Sequence, residues 1–475
     1  MPDLVTNVHA DNGDTLVAAL FAQWDQQGIR ACIWKSADRW QEGIDGTTDF
    51  DILVPAQDVD RARQVLMDEG WIPVDAEAWR TFPGLFDYIA FVSGACLHVH
   101  LHAAITSGEK LTKTLRPPLT DLYLRHLQHG YPPTITAELE FVLLVVRTVL
   151  KISWLDIAGA LRRRSAAAVY RNYTRELDQV RQRCRRDRIQ SLLEEPELQS
   201  LPGHLVLQAH DDLASLRMAQ RKALRRAIAT WRIRPTAGTG PLRFVLRRAG
   251  RFGKTLPFQG ISIGICGPDG SGKTTTTEAL RKALSRQLRV EKYYLGGNLK
   301  QPGKLRGTVM KGILVPYLAL RKACRLLRWN GWVAGLERWY ANTDRRLTRG
   351  EKLRRVQAAE QAARTGSVVL FERYPLFHPY GDDMRPTLHP NGLRCPDILV
   401  LLDVAEATAI ERRPDDDPET LRNKIQAFRQ FAVQPSNAKQ LLVFNESVSL
   451  QERVGATLDA VMAVLTERAR RTPRR

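Results

Sequence analysis

The chain has 475 residues, 44% of them hydrophobic and 26% charged, with a formal net charge of +20; that is a soluble globular composition too long for one ordinary core. The charge is unevenly shared. Residues 1–135 hold 10 Lys/Arg against 18 Asp/Glu, which leaves 61 against 33 for the rest, so an acidic head precedes a basic body that suggests an anionic partner. Six cysteines (Cys32, Cys96, Cys184, Cys266, Cys324, Cys395) lie far apart with no C-x-x-C pair, which argues against a disulfide frame or a zinc site. The start, MPDLVTNVHADNGDT, is acidic and polar, unlike a secretory signal, and the longest apolar run, residues 141–146, stops at Arg147. That run is far too short to span a bilayer, so a cytoplasmic protein without a transmembrane segment is expected.

In chain order, residues 15–26 carry apolar side chains at helical spacing, and Gly28 ends the helix. Residues 29–34 and 50–54 read as strands, and 59–69 as a helix closed by Gly70. Strand-like runs at 88–92 and 97–102 are joined by the turn residues Ser93 and Gly94. The head, 1–135, is therefore an α+β domain. From 136 to 232 the pattern turns helical and arginine-rich, with LRRRSAAAVYRNYTRELDQVRQRCRRDR at its centre and one break at Pro202-Gly203. A bundle with solvated basic faces is expected there, a nucleic-acid surface being the lesser reading. Residues 233–256 have the Pro, Gly and Thr of a linker. After it, apolar runs at 261–266, 290–295, 368–371, 398–402 and 441–444 alternate with helical segments, the first over 274–287. Near-continuous apolar runs suit parallel strands buried on both faces, and the alternation implies a doubly wound parallel sheet. The fold class is α/β multidomain: a head (1–135), a basic helical region with linker (136–256) and a nucleotide-binding domain (257–475).

The chemistry concentrates at Gly267-Pro268-Asp269-Gly270-Ser271-Gly272-Lys273-Thr274-Thr275. It fits the G-x-x-x-x-G-K-[ST] phosphate loop, between a buried strand and a helix as that motif requires. The loop amides wrap the β-phosphate of ATP, Lys273 reaches the β- and γ-phosphates, and Thr274 offers a hydroxyl to Mg²⁺. Further on, one buried strand ends in Glu372-Arg373-Tyr374-Pro375, and another ends at Asp403. A carboxylate and a guanidinium at a strand's carboxyl end lie beside the crevice where ligands sit. Glu372 and Asp403 are thus metal candidates beside Thr274. Arg412 and Arg413 precede the acidic Asp415-Asp416-Asp417, as a lid closing over phosphates would.

On these residues, the segment 259–465 resembles thymidylate kinase and its nucleoside monophosphate kinase relatives. The matching stretches are GPDGSGKTT, ERYP in place of that family's Asp-Arg-Tyr/Phe, and PDILVLLDVAEATAIERR. The resemblance implies an ATP- and Mg²⁺-dependent phosphotransferase in which Arg373 contacts the acceptor's phosphate. Glu372 stands where the family's Asp helps orient Mg²⁺ or that phosphate, and Arg412 and Arg413 belong to the lid. Two departures leave the acceptor open. YYLGGNLKQPGKLRGTVMKG replaces an Arg-Glu-Pro-Gly-Gly-like segment, and 300–355 form a long basic helical stretch with Trp329, Trp332 and Trp339. The resemblance implies a small-molecule acceptor, nucleotide or glycan-related. The tryptophans either meet a membrane surface or a sugar, or pack the insert against the kinase core, the favoured reading.

In the head, Lys35-Ser36 follows one strand and Asp49-x-Asp51 opens the next. Alternation along a strand puts Asp49 and Asp51 on one face, where both can hold Mg²⁺. This resembles the nucleotidyltransferase superfamily, which implies a Gly-Ser loop for triphosphate and a third carboxylate on a neighbouring strand. Here Ser36 follows Lys35 and not Gly, and His100 stands where the third Asp is expected. His98, His100 and His102 share one face, which is also a candidate transition-metal stripe. Active transferase, degenerate binding domain and scaffold all stay open for the head. For the whole chain the alternatives to a small-molecule kinase are a nucleic-acid end-processing kinase and a P-loop switch that only senses nucleotide.

Overall fold

The computed structural model describes residues 13–77, 81–107, 115–128, 130–151, 176–212, 218–231, 253–295, 304–374, 396–412, 414, 416–432 and 439–471. The chain divides into two compact units, Met1–Lys254 and Thr255–Arg475.

The first unit opens with α1 (Gly13–Gln26), whose helically spaced Val17, Leu20, Phe21 and Trp24 are buried. Seven strands follow: β1 (Cys32–Ile33), β2 (Phe50–Leu53), β3 (Ile72–Val74), β4 (Leu85–Val92), β5 (Ala95–His102), β6 (Leu127–Gln128) and β7 (Thr134–Ile135). They form one mixed sheet in the order β3-β4-β5-β2-β1-β7-β6. Helix α2 (Val59–Asp68) connects β2 to β3. Ser93 and Gly94 both have positive φ, 50° and 80°, so the β4–β5 hairpin closes on a two-residue turn that matches strand twist. β5 then pairs in parallel with β2 on its other side. The apolar run at 141–146 is the middle of α3 (Ala137–Lys151). Its Phe141 and Val145 share one core with Trp34 and Leu53 of the sheet region and with Leu205, Val206 and Trp231 further along the chain. Residues 152–175, which include the first half of the arginine-rich centre, and residues 232–252, which include most of the expected linker, lie outside the described residues.

The second unit is built on five strands, β8 (Ser262–Cys266), β9 (Val290–Tyr294), β10 (Val368–Glu372), β11 (Ile398–Leu402) and β12 (Gln440–Phe444). All pair in parallel, in the order β12-β11-β8-β10-β9. The doubly wound parallel sheet expected from the apolar runs is therefore present. β8, β10 and β11 are apolar throughout except Ser262 at the start of β8 and the terminal Glu372, because both of their faces are covered. From β8 the chain runs outward to β9, returns to β10, and then crosses to β11 and β12 on the other side. The reversal falls at the carboxyl end of β8, where an open parallel sheet leaves its ligand crevice. Helix α4 (Lys273–Leu284) begins there.

Between β9 and β10 two long helices, α5 (Lys304–Leu326) and α6 (Asn330–Arg364), make an arm. Tyr317 stacks on Tyr340 at 4.3 Å, Arg321 pairs with Glu337 and Arg306 with Asp344. Each partner number falls as the first rises, so the helices run antiparallel. Among the described residues, the carboxyl end of α6 joins the core, where Val356, Ala359 and Ala362 meet Val369, Phe371 and Leu401. The tryptophans do not pack into the core as expected: Trp329, Trp332 and Trp339 are 54%, 70% and 51% exposed. The unit closes with α7 (Glu406–Arg412), α8 (Pro418–Ala432) and α9 (Leu450–Arg471).

Candidate functional site

The loop after β8 turns on three glycines with positive φ, Gly267, Gly270 and Gly272, at 143°, 84° and 88°, conformations that disfavour side-chain-bearing residues. A Cβ on Gly267 would stand 2.4 Å from the Leu402 carbonyl oxygen, so the close approach of β8 and β11 admits nothing larger. Lys273 is buried, and its ammonium folds back over the loop to donate to the Pro268 carbonyl; Asp269 Oδ1 lies 3.8 Å away. Ser271 Oγ is buried without a hydrogen-bond partner, a polar atom oriented within a cradle of loop groups. Thr275, next to Thr274, is exposed.

Residues from distant parts of the chain converge on this loop. Thr274 Oγ1 donates to Glu372 Oε1 at 2.6 Å, across 98 positions of sequence. Glu372 is buried at the end of β10, and its Oε2 lies 3.3 Å from Lys292 Nζ of β9. A hydrogen bond to Glu278, with Glu372 adding to it, holds the Lys292 ammonium above its ordinary pKa. Arg373 Nη1 lies 3.3 Å from Asp269 Oδ1, and Arg412 Nη1 donates to the Gly270 carbonyl at 3.1 Å. Lys273, Thr274, Glu372, Arg373 and Arg412 thus surround one loop. Asp403 takes a different place: its carboxylate is engaged by Arg429 at 3.0 Å. With Gly270, Val404, Arg412, Glu446 and Arg453 it lines an adjoining cleft. Arg413, Pro375 and Asp415 lie outside the described residues. Lys292, Glu446 and Arg453 carry no motif, and sequence reading passed over them. Only the strand pairing of β9 with β10 would have pointed to Lys292.

The first unit holds a second constellation. Parallel pairing of β2 with β5 sets Asp51 opposite His100, and antiparallel pairing of β4 with β5 sets Asp87 opposite the same histidine. His100 therefore lies between two carboxylates, with Nδ1 3.3 Å from Asp51 and Nε2 3.1 Å from Asp87. His98 lies 2.6 Å from Asp49 and 3.2 Å from Asp87, and His102 3.0 Å from Asp51. Lys35 pairs with Asp51 at 2.6 Å, and Lys254 with Asp87 at 2.9 Å. Asp87, directly across the hairpin from His100, brings a third carboxylate to this cluster, one that sequence reading did not single out. Its signal was the two-residue turn, since pairing Val92 with Ala95 fixes Asp87 against His100 by counting.

Burial alone would raise the pKa values of these carboxylates, but their partners outweigh it. Lys35, His100 and His102 hold Asp51 well below the usual range. His98 and His100 do the same for Asp49, and with Lys254 for Asp87. Burial works against a charged His100, yet Asp51 and Asp87 raise its pKa. Burial wins at His102, which falls to about 4. Two sets bring one ligand atom from each residue within 4.8 Å of one another: Asp49 with His98 and His100, and Asp51 with His100 and His102. Imidazole with carboxylate suits a first-row transition metal better than Mg²⁺, which prefers oxygen alone.

No protein-family model matches the chain, and no curated protein matches it. Among solved structures it is similar to the thymidylate kinase of Candida albicans, at 12% identity over 44% of this chain and 93% of that one, with a TM-score of 0.29. It is also similar to the deoxyadenosine kinase of M. mycoides. The structure of that enzyme with the products dCMP and dCDP is matched at 14% identity over 43% of this chain and all of that one (TM-score 0.26). Its structure with dATP is matched at 14% identity, over 42% of this chain and 97% of that one (TM-score 0.25).

Proposed function

We propose that the second unit is an ATP-dependent phosphotransferase acting on a small molecule, in the manner of a nucleoside monophosphate kinase. The observation that carries this is the 2.6 Å contact between Thr274 Oγ1 and Glu372 Oε1 at the mouth of the phosphate loop. It supplies two adjacent oxygen donors, a hydroxyl and a carboxylate, which fit Mg²⁺. Thr274 and Glu372 would hold the ion, which would supply neutralisation of the charge that develops on transfer. The chain's own groups do the remainder. The amides of 267–275 cradle the β-phosphate, and Lys273 leaves the Pro268 carbonyl to meet the β- and γ-phosphates. Arg373 holds the acceptor, and Arg412 with Arg413 closes over the γ-phosphate. Asp403 borders the cleft beside Gly270, where the rest of the nucleotide would sit. No covalent intermediate is required; positioning and charge account for the rate.

The converging arginines favour transfer over the alternative of a nucleotide-sensing switch, which has no need of an acceptor-binding guanidinium. The test is transfer from γ-labelled ATP with Mg²⁺ to nucleoside monophosphates, sugars and oligonucleotides, with Lys273→Ala as control. Label on one acceptor, lost in the variant, is expected. Slow release of free phosphate alone would leave the switch. Label on oligonucleotides alone would make the protein a nucleic-acid end-processing kinase.

For the first unit, the mixed donor set around His100 favours binding of a divalent cation by Asp49 or Asp51 with the histidines. Calorimetric titration of the full chain with Zn²⁺, Mn²⁺ and Mg²⁺ tests it. A heat of binding for Mg²⁺ alone would count for a nucleotidyltransferase-like oxygen site instead.

A further inference from the structure

Among the described residues, large apolar side chains on the surface are concentrated in one place. Of fourteen that are exposed, nine lie between 314 and 339, on the arm. The richest part is the turn between α5 and α6, where Leu326, Leu327, Trp329 and Trp332 are 76%, 58%, 54% and 70% exposed. Arg328 turns the chain there with φ at 54°. An apolar cluster this dense is not an ordinary solvated surface, since monomers keep such patches small.

The charges around it narrow what covers it. Residues 321–339 contain Arg321, Lys322, Arg325, Arg328 and Arg338 against Glu337 alone. Glu337 is already shared between Arg321 at 2.8 Å and Arg325 at 3.5 Å. A second copy of the same tip would bring like charge against like charge. A nucleic acid would answer the arginines and stack on the tryptophans, but would leave Leu326 and Leu327 in water. An anionic bilayer answers all three: cations meet lipid phosphates, tryptophan rings settle at headgroup level, and leucines enter the acyl boundary.

The arm also has the reach. α6 has 35 residues, about 52 Å at 1.5 Å per residue. Its first core residue, Val356, stands about 39 Å along the helix from the turn. Contact at the turn therefore requires no unfolding of the sheet. Entry must be shallow, since no helix of the described residues is long and apolar enough to cross a membrane.

We propose that the arm's tip seats the protein on an anionic bilayer surface, with Leu326, Leu327, Trp329 and Trp332 inserted and the neighbouring Arg and Lys on the lipid phosphates. This rests on exposure and charge, independently of the phosphate-loop reading. The test is flotation of the full chain with vesicles of phosphatidylcholine alone, or of equal parts phosphatidylcholine and phosphatidylglycerol, at low and high salt. The expected result is flotation with the mixed vesicles only, weakened by salt. Trp329→Ser with Trp332→Ser should lower partitioning by about a hundredfold, and Arg325→Gln with Arg328→Gln should reduce it while flattening the salt dependence. The thermal unfolding midpoint by circular dichroism serves as the folding control and should be unchanged in both variants. Wild type that fails to float overturns the proposal, as does a tryptophan variant that floats equally well. A wild-type dimer that the tryptophan variant converts to monomer would assign the tip to a second copy instead.

Discussion

In the proposed transferase, Arg373 sets stability against function. Its φ of 56° is left-handed, a conformation that costs a side-chain-bearing residue about 1–2 kcal/mol. Its Nε is buried without a hydrogen-bond partner, a further cost of about 1 kcal/mol. On the other side stand an ion pair with Asp269 at 3.3 Å, one-third exposed on both partners, and the Tyr294 ring at 5.6 Å. After screening by solvent each contributes about 0.5 kcal/mol. Arg373→Gly removes all four effects and adds about 0.7 kcal/mol of freedom to the unfolded chain. The balance is a gain of about 1 kcal/mol, which for a unit of this size raises Tm by roughly 2–4 °C. Arg373→Ala keeps the strained backbone and should gain less. Scanning calorimetry of the full chain reads the stability, and the labelled-ATP assay reads transfer, which should fall about a hundredfold or more. A glycine variant that melts below wild type refutes the strain argument. One that transfers phosphate at the wild-type rate refutes the placing of Arg373 on the acceptor.

Asp397, buried before β11, accepts hydrogen bonds from the Ser262 amide at 2.9 Å and hydroxyl at 3.1 Å, from Lys439 at 2.9 Å, and from Arg468. Asp397→Ala leaves the largely buried Arg468 without its carboxylate, and chemical denaturation should show a loss of about 3 kcal/mol or more; a loss below about 1 kcal/mol would mean that solvent reaches this network. Burial pushes the thiols of Cys32 and Cys266 up to about 12. Both stay protonated at mildly alkaline pH, so iodoacetamide should label them only after denaturant is added, as peptide mass mapping would report. Rapid native labelling of either would contradict its burial.

The parallel sheet was legible because its central strands β8, β10 and β11 are apolar on both faces, and β10 ends in Glu372, which breaks the pattern. The loop and its strand-end partner could therefore be found by eye, although their 2.6 Å contact spans 98 positions. Asp87 was missed for the opposite reason. A charged residue inside Leu85-Phe86-Asp87 interrupts the strand signal, and the run was read as starting at Tyr88. What stabilises that carboxylate is partly Lys254, 167 positions away, which no local pattern reveals. The arm shows the limit of periodicity. Helical spacing identified the segment, but the tendency of tryptophan toward burial gave the wrong side for Trp329, Trp332 and Trp339. Spacing says which residues share a face and is silent on what that face meets.

The arm bears on how the sheet assembles. Among the described residues β9 is an edge strand whose one neighbour is β10, and the 73 residues from Leu295 to Ser367 separate the two. Closing so long an excursion costs entropy that grows with the logarithm of its length. α5 and α6 are adjacent in sequence and pair through local contacts, so they can form before the strands meet. Once they are rigid, the excursion left to close is a small fraction of its 73 residues, and the closure cost falls by about 1–2 kcal/mol. Local pairing ahead of distant pairing also lowers the effective contact order, the quantity that most slows parallel sheets. Shortening the arm by whole helical turns at its tip should therefore leave the rate at which β9 joins β10 nearly unchanged, whereas replacing it with a flexible linker of equal length should slow refolding.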